Sequence, residues 1–223
     1  LNSSNCSSLL PSSYDLRNVN GTSYLTSVKD QGSYNTCWAF ATYASLESYL
    51  LMYENITYDF SEANMAKVMS KLNRFNGSLW SVEDGGNYML ALAYLLRWSG
   101  AVNESDDPYS NMGSNLLPNL DLNIAKHIQS IEYIPYRLNY LDNDQIKYAV
   151  MHYGGVVTSI YMLSSKNIYS SSYNRCNHAI TIIGWDDNYS ASNFKNAPPA
   201  NGAFIIKKSG HGHALHDHDA FHY

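Results

Sequence analysis

The stretch QGSYNTCWAFAT (residues 31–42) decides the fold, because it sets a thiol at the start of an apolar run. That run, CWAFATYASLESYLLM, continues from Cys37 to Met52 with Glu47 as its single charge. Apolar side chains nearly all round describe a buried helix rather than a surface one. Asn35 or Thr36 stands where an N-cap belongs. Cys37 would then sit at a helix N-terminus, where unpaired N–H groups and the positive end of the dipole favour thiolate. Six residues upstream, Gln31 lies in a Gly-containing turn. Its carboxamide and the Cys37 backbone N–H are candidate donors to an oxyanion.

Outward from this helix the chain divides into two halves. Ser61 caps a second helix over SEANMAKVMSKLNRF, with Glu62 in the first turn and Gly77 as its stop. A third covers NYMLALAYLLRW and stops at Gly100. Between residues 110 and 123, Asn, Ser, Gly and Pro are concentrated, which suggests a crossover between lobes. The second half holds one helix, NDQIKYAVMHY, closed by Gly154, and otherwise reads as strands: VVTSIYM, HAITIIGW and GAFIIKK. His178 opens the second of these strands. The polar segment DDNYSASNFKNAPPANG is a long loop, and there is no internal repeat. The expected domains are therefore 1–115, mainly helical with the thiol, and 116–223, β-rich with the imidazole. A cleft between them would have Cys37 on one wall and His178 on the other.

A free thiol titrates near ~8.5 and is mostly protonated at neutral pH. A helix N-terminus and a nearby imidazolium lower that value, making Cys37 a nucleophile and His178 the group that returns a proton to a leaving amine. Taken singly, a Cys in an apolar helix is more often a small core residue, and a His at a strand start is usually structural. The combination of context and order favours chemistry.

Composition narrows the classes. The chain has 223 residues, 45% of them hydrophobic, 20 tyrosines and a net charge of −5. That charge argues against a nucleic-acid surface, and no run approaches the ~18 apolar residues of a membrane span. Three cysteines exclude a disulfide scaffold. Sequons begin at Asn2, Asn5, Asn20, Asn55, Asn76, Asn103 and Asn188. With low Lys and abundant Asn, Ser and Tyr, they lean towards an extracellular or cell-surface protein. The start at Leu1, without Met, suggests a processed or excised piece.

VKDQGSYNTCWAFAT resembles the active-site segment of the papain-like cysteine peptidases, usually Gln-Gly-x-Cys-x-x-Cys-Trp-Ala-Phe. LPSSYDLRNVN is similar to their mature N-terminus, and FSEANM to their Leu-Ser-Glu-Gln helix start. EDGGNYMLALAYLLRWSGAVNESDDPY resembles their Gly-Gly segment, the following helix and a Pro-Tyr; NHAITIIGWDD resembles the histidine strand. The Cys37-to-His178 separation lies in the ~130–150 residue range of the family. The long polar loop and GWDD are most like prokaryotic members, which often sit in larger surface proteins with lectin-like or adhesin-like regions.

The resemblance implies an α+β, two-lobed papain-like fold, with a central Cys helix in the N-terminal lobe and a β-barrel-like C-terminal lobe. It implies an endopeptidase acting on extended peptides through an acyl-enzyme, without a cofactor or metal, and expected to be a monomer or part of a larger surface polypeptide. Cys37 would be the nucleophile, His178 the general acid and base, and Gln31 the oxyanion donor. Gly85 and Gly86 would hydrogen-bond substrate backbone as an added strand, and Trp38 would pack beside the site.

Two departures qualify this. Tyr34 stands where most relatives carry a cysteine paired within the helical lobe, a bridge that typically contributes ~2–4 kcal/mol. A Cys6–Cys176 disulfide is one alternative pairing. After NGAFIIK the family continues Asn-Ser-Trp-Gly, whereas here Lys208 holds the Asn position and Gly210 the Trp position. A cation near His178 disfavours imidazolium, and Lys cannot accept the ring N–H. Segment 208–223 is thus atypical: an altered reading frame, divergence towards an impaired enzyme, or a metal-binding tail. The tail reading rests on His211, His213, His216, His218 and His222, interleaved with Asp217 and Asp219. Loss of the final strands would expose part of the β lobe and lower stability. The functional alternatives are an impaired homologue that binds surface peptide or matrix, and a cell-wall amide hydrolase or transpeptidase.

Overall fold

The computed structural model describes residues 10–70, 81–113, 117–139, 141–162, 175–194, 196–210 and 220–221. Cys6, Gly77 and the five tail histidines lie outside these residues, so the Cys6–Cys176 bridge and the metal-binding tail do too; the second helix does not reach Gly77, since it ends at Met69 with Ser70 extended.

Helix α1 runs from Cys37 to Glu54 and is the central element. Trp38, Phe40, Tyr43 and Leu50 are buried, and so is its one mid-helix charge, Glu47. Thr36 occupies the N-cap but makes no side-chain cap bond; its hydroxyl is 2.6 Å from that of Tyr109 instead. Asn55, in the left-handed region at φ 53°, ends the helix. Helix α2 (Glu62–Met69) begins with Ser61 accepting from the Asn64 N–H at 2.9 Å, as the Ser-Glu start predicts. Helix α3 (Tyr88–Leu96) is capped by Asn87, which accepts from the N–H groups of Met89 and Leu90. These helices share one core, in which Trp38, Tyr43, Phe60, Met65 and Tyr94 are each at most 4% exposed. Each such side chain contributes roughly 1.5–3 kcal/mol of burial.

The helical lobe holds together through polar contacts where a bridge was absent. Lys67 Nζ, 2% exposed, pairs with Asp107 Oδ1 at 2.7 Å. Asn64 donates to the other Asp107 oxygen at 3.1 Å and accepts from the Tyr94 hydroxyl at 2.7 Å. Ser61 donates to the Asp107 carbonyl. This network ties α2 and α3 to the loop carrying Asp107.

The sheet comprises β1 (Ser13–Asp15), β2 (Val156–Ile160), β3 (His178–Asp186), β4 (Ala203–Lys207) and β5 (Ala220–Phe221). Helix α4 (Asp144–Tyr153), ended by Gly154 at φ 82°, covers it, with Val150 in the core beside Ile180, Ile182 and Trp185. All neighbouring strands are antiparallel. β1 and β2 pair with opposite ends of one edge of β3, β4 takes the other edge, and β5 lies outside β4. Gly184 is needed where β1 crosses, since a Cβ there would lie 2.2 Å from the Tyr14 carbonyl oxygen.

The expected barrel-like C-terminal lobe is not formed. The sheet is open: among the described residues no strand returns from β5 to β1 or β2. Barrel closure needs a staggered ladder around the whole circuit, and the two residues of β5 cannot supply one. The halves meet where α1 crosses β3. Thr181 Oγ1 donates to the Ala41 carbonyl at 2.9 Å, and Gly155 N–H donates to Ser48 Oγ at 3.1 Å.

Candidate active site

Cys37 is the first residue of α1, and its thiol is half-buried and free. The Ala179 N–H reaches Cys37 Sγ at 3.4 Å, so the sulfur lies against the peptide that joins His178 to Ala179. His178 opens β3 and is 9% exposed. A thiol on a helix N-terminus and an imidazole on the first residue of the facing strand thus share one junction. Burial pushes the Cys37 thiol up, and the N–H groups of Ala179, Trp38 and Cys37 itself pull it back down.

Gln31 is 1% exposed and held from several sides. Its Nε2 donates to the Tyr34 carbonyl at 2.7 Å, and Ser209 donates to its Oε1. The second acceptor contact fixes which way the amide points, with the NH₂ turned away from Ser209. Its backbone N–H donates to the Gly210 carbonyl at 3.1 Å, while the Tyr109 hydroxyl donates to its carbonyl at 2.8 Å.

Gly85 adopts φ +86°, a conformation that favours glycine. Gly86 lies on the indole of Trp38, where a Cβ would stand 2.3 Å from Nε1. The Gly-Gly pair is therefore demanded by a left-handed turn at one residue and close approach at the next. Lys208 follows the last ladder residue of β4, Lys207, which is opposite Thr181. It lines a small pocket with Lys207, Ser209, Lys29, Glu47 and Glu62.

Sequence reading passed over that charge cluster. Lys29 Nζ pairs with Glu47 Oε1 at 3.1 Å, Glu62 Oε1 at 2.9 Å and Asp59 Oδ1 at 2.6 Å. Thr26 Oγ1 donates to Glu47 Oε2 at 2.6 Å, and Lys207 Nζ lies 3.1 Å from the same hydroxyl. Burial raises Glu62 to about 8 against the opposing pull of Lys29, and lowers Lys207 to about 8. The signal was present: a lone Glu inside an apolar helix calls for a cation, and Lys29 stands in VKDQG. Ser209 carried no comparable sequence signal, whereas Tyr109 is the Tyr of the Pro-Tyr motif. Cys176 is exposed, with Sγ 3.5 Å from the Ser159 carbonyl. Among the described residues no group of acidic, His and Cys side chains could hold a metal ion.

The family model for papain family cysteine proteases matches residues 10–209, taking in the Cys helix, the Gly-Gly turn and the histidine strand. The chain belongs to the papain family of cysteine proteases. Among its relatives is a viral cathepsin of Heliothis zea nuclear polyhedrosis virus, 30% identical over 182 residues, which are 79% of this chain and 45% of that protein. A cysteine protease of Blomia tropicalis is 27% identical over 188 residues, 79% of this chain and 53% of its own. Among solved structures, the cysteine protease and lectin-like domains of Cwp84, a surface layer associated protein of Clostridium difficile, superpose with TM-score 0.79 at 29% identity. That match covers 96% of this chain and 48% of the Cwp84 chain. The chain thus spans about half the length of the curated relatives it matches. No helix among the described residues is long and apolar enough to cross a membrane.

Proposed function

We propose that this chain is a cysteine endopeptidase that cleaves extended peptides at the cell surface or outside it, in the cleft between lobes 1–115 and 116–223. The observation that carries this reading is the junction of Cys37 Sγ with the His178–Ala179 peptide, 3.4 Å from the Ala179 N–H. Cys37 thiolate attacks the substrate carbonyl carbon, and the oxyanion takes donors from the Cys37 N–H and the Gln31 amide. His178 imidazolium gives its proton to the leaving amine as the C–N bond breaks, which leaves a thioester. Neutral His178 then takes a proton from water as the hydroxyl attacks the thioester; the C–S bond breaks, releasing the acid and restoring the thiolate–imidazolium pair. Gly85 and Gly86 offer backbone to the substrate chain, a role that suits residues without side chains. Kinship with the surface layer associated Cwp84 supports the location.

A second reading has two observations in its favour. Lys208 stands where the family carries the Asn that orients the imidazole, and burial already raises the Cys37 thiol. Such a chain would bind peptide in the same cleft and turn it over slowly. Losing an orienting residue leaves measurable catalysis from the nucleophile and oxyanion donors.

Site-resolved alkylation by iodoacetamide across pH, read by mass spectrometry, separates the two. Cys176 serves as the exposed control. Fast Cys37 modification persisting well below pH 7, with peptide turnover abolished in Cys37→Ala, is the expected result. Modification of Cys37 only as pH approaches ~8.5 or above, without turnover, would assign the impaired binder. Turnover that survives in Cys37→Ala would overturn both.

A further inference from the structure

The loop after α3 sends Tyr109 back to the turn that leads into α1. Its hydroxyl donates to the Gln31 carbonyl at 2.8 Å and lies 2.6 Å from the Thr36 hydroxyl. A carbonyl only accepts, and a phenol has one proton. The Tyr109 proton therefore goes to Gln31, and Thr36 gives its own proton to the phenol oxygen. The chain Thr36 O–H to Tyr109 O–H to Gln31 C=O has one direction throughout. Burial raises the Tyr109 phenol above its ordinary range, so it keeps the proton it donates.

Both ends of that chain belong to the turn that carries the two oxyanion donors. Gln31 bears one of them, its side-chain amide. Thr36 immediately precedes Cys37, whose backbone N–H is the other. Gln31 Oε1 accepts from Ser209, and one Nε2 proton goes to the Tyr34 carbonyl at 2.7 Å. The second Nε2 proton is the one an oxyanion can take. These contacts aim the amide. The span from Gln31 to the start of α1 is bridged by the Tyr109 hydroxyl, a rung across a turn in which Gly32 is left-handed at φ +58°. Tyr109 is itself held firmly. Its backbone N–H donates to Glu104 Oε1 at 2.7 Å, and its ring meets that of Phe40 edge-on, with centroids 4.9 Å apart. Phe40 is three residues into α1, so the helix that carries Cys37 also locates the ring.

We propose that Tyr109 is a positioning residue, whose hydroxyl fixes the spacing between the Gln31 amide and the Cys37 N–H at the oxyanion site. This rests on the peptidase reading above. Tyr109 makes and breaks no bond of the substrate; it acts through the two donors. Such donors work only when they stand at hydrogen-bond distance from the place where the oxyanion forms.

Tyr109→Phe tests this, since it removes the oxygen and keeps the ring on Phe40. Losing one oxyanion donor outright costs roughly 10²–10³ in kcat, so misplacing it should cost about tenfold, with KM within about twofold of wild type. Affinity for a peptide aldehyde, whose adduct with Cys37 puts its oxygen at the same site, should fall in parallel. Where turnover is too slow to measure, aldehyde affinity carries the test. Iodoacetamide loses iodide to the Cys37 sulfur and builds up no oxyanion, so the rate and pH profile of that alkylation should match wild type. Thr36→Val, nearly the same shape, breaks the other half of the rung and should act in the same direction. The double variant should be no slower than Tyr109→Phe alone, as for two members of one unit. If Tyr109→Phe does not fold, Thr36→Val decides by the same measurements. An unchanged kcat and aldehyde affinity, additive effects in the double variant, or alkylation that slows in step with kcat would overturn the proposal and leave the peptidase reading standing. A wild type that neither turns over peptide nor binds the aldehyde would remove that reading, and the proposal with it.

Discussion

Replacing Lys29 by Met tests whether the buried charge cluster holds the helical lobe together. The ammonium has three carboxylate neighbours, but they are not equivalent. Asp59 is 63% exposed on its side chain, and its loss counts for at most the ~0–1 kcal/mol of a surface pair. Glu47 and Glu62 are 1% and 2% exposed, so they keep no water when the cation goes. Removing one partner of a buried pair destabilises by ~3–5 kcal/mol. The effect should not double. Burial raises Glu62 to about 8, so it can take up a proton near neutrality, while Glu47 retains the Thr26 hydroxyl and the Phe60 N–H.

The expected loss at pH 8 is therefore about 3–5 kcal/mol. At ~2–4 °C per kcal/mol for a chain of this size, the midpoint should fall by roughly 6–20 °C. The pH dependence has a definite sign. Glu62 in the fold binds its proton more tightly than its ordinary value of 4.5, and losing Lys29 raises it further. A group raised by folding favours the fold fully below its unfolded value and loses that contribution as pH climbs through the folded one. The deficit of Lys29→Met should thus be nearly constant below neutrality and shift only as pH climbs past about 8, where the paired Glu62 loses its proton and the unpaired one keeps it. Urea denaturation of both proteins in a Cys37→Ala background, at pH 8 and below, measures it. A deficit under about 1 kcal/mol at pH 8, the range of an exposed pair, would mean the cluster is hydrated and its charges screened.

Other substitutions probe the site and the helical lobe. Lys208→Asn should raise kcat by roughly tenfold or more, part of the ~10²–10⁴ that a well-placed acid–base group contributes; an unchanged or lower kcat on a fluorogenic peptide would show that the cation does not disturb His178. Gly86→Ala sets a methyl 2.3 Å from Trp38 Nε1, so it should destabilise by about 1–3 kcal/mol and shift tryptophan emission. A melt and spectrum like the wild type would show that the indole yields freely. Asp107→Ala strands Lys67 and should lose about 3–5 kcal/mol in urea unfolding, with Asp107→Leu no better because the ammonium stays buried. The paired change Asp107→Leu/Lys67→Met should recover most of that loss, and failure to recover would move the effect to Asn64 and Ser61.

The helices were legible because each carries its own punctuation. The 37–54 run is apolar all round, Ser61 caps the second helix, Asn87 caps the third, and Gly154 ends the fourth. Strands β2, β3 and β4 were legible as apolar runs. Strand β1 was not, since SYD carries no strand pattern of its own. It exists because Trp185 and Gly184 offer it an edge, with the Trp185 indole donating to the Pro11 carbonyl at 3.1 Å. The expected barrel failed for a related reason: closure is a property of how strands meet, and family likeness in β3 and β4 does not provide the partners that close a circuit.

At the site, sequence by itself determined the chemistry on offer: one thiol at a helix start, one imidazole at a strand start, and an amide in the turn before the helix. These features arise from local rules of capping, periodicity and turn composition. Only tertiary structure decided which groups meet. Antiparallel pairing of β3 and its crossing over α1 bring Ala179 N–H to Cys37 Sγ. Ser209, from the far end of the chain, orients the Gln31 amide, and Lys29 finds two buried carboxylates on different helices. Such contacts join residues more than a hundred positions apart, or side chains whose burial depends on the whole core. Their energies are set by distance and dielectric, which no local pattern records.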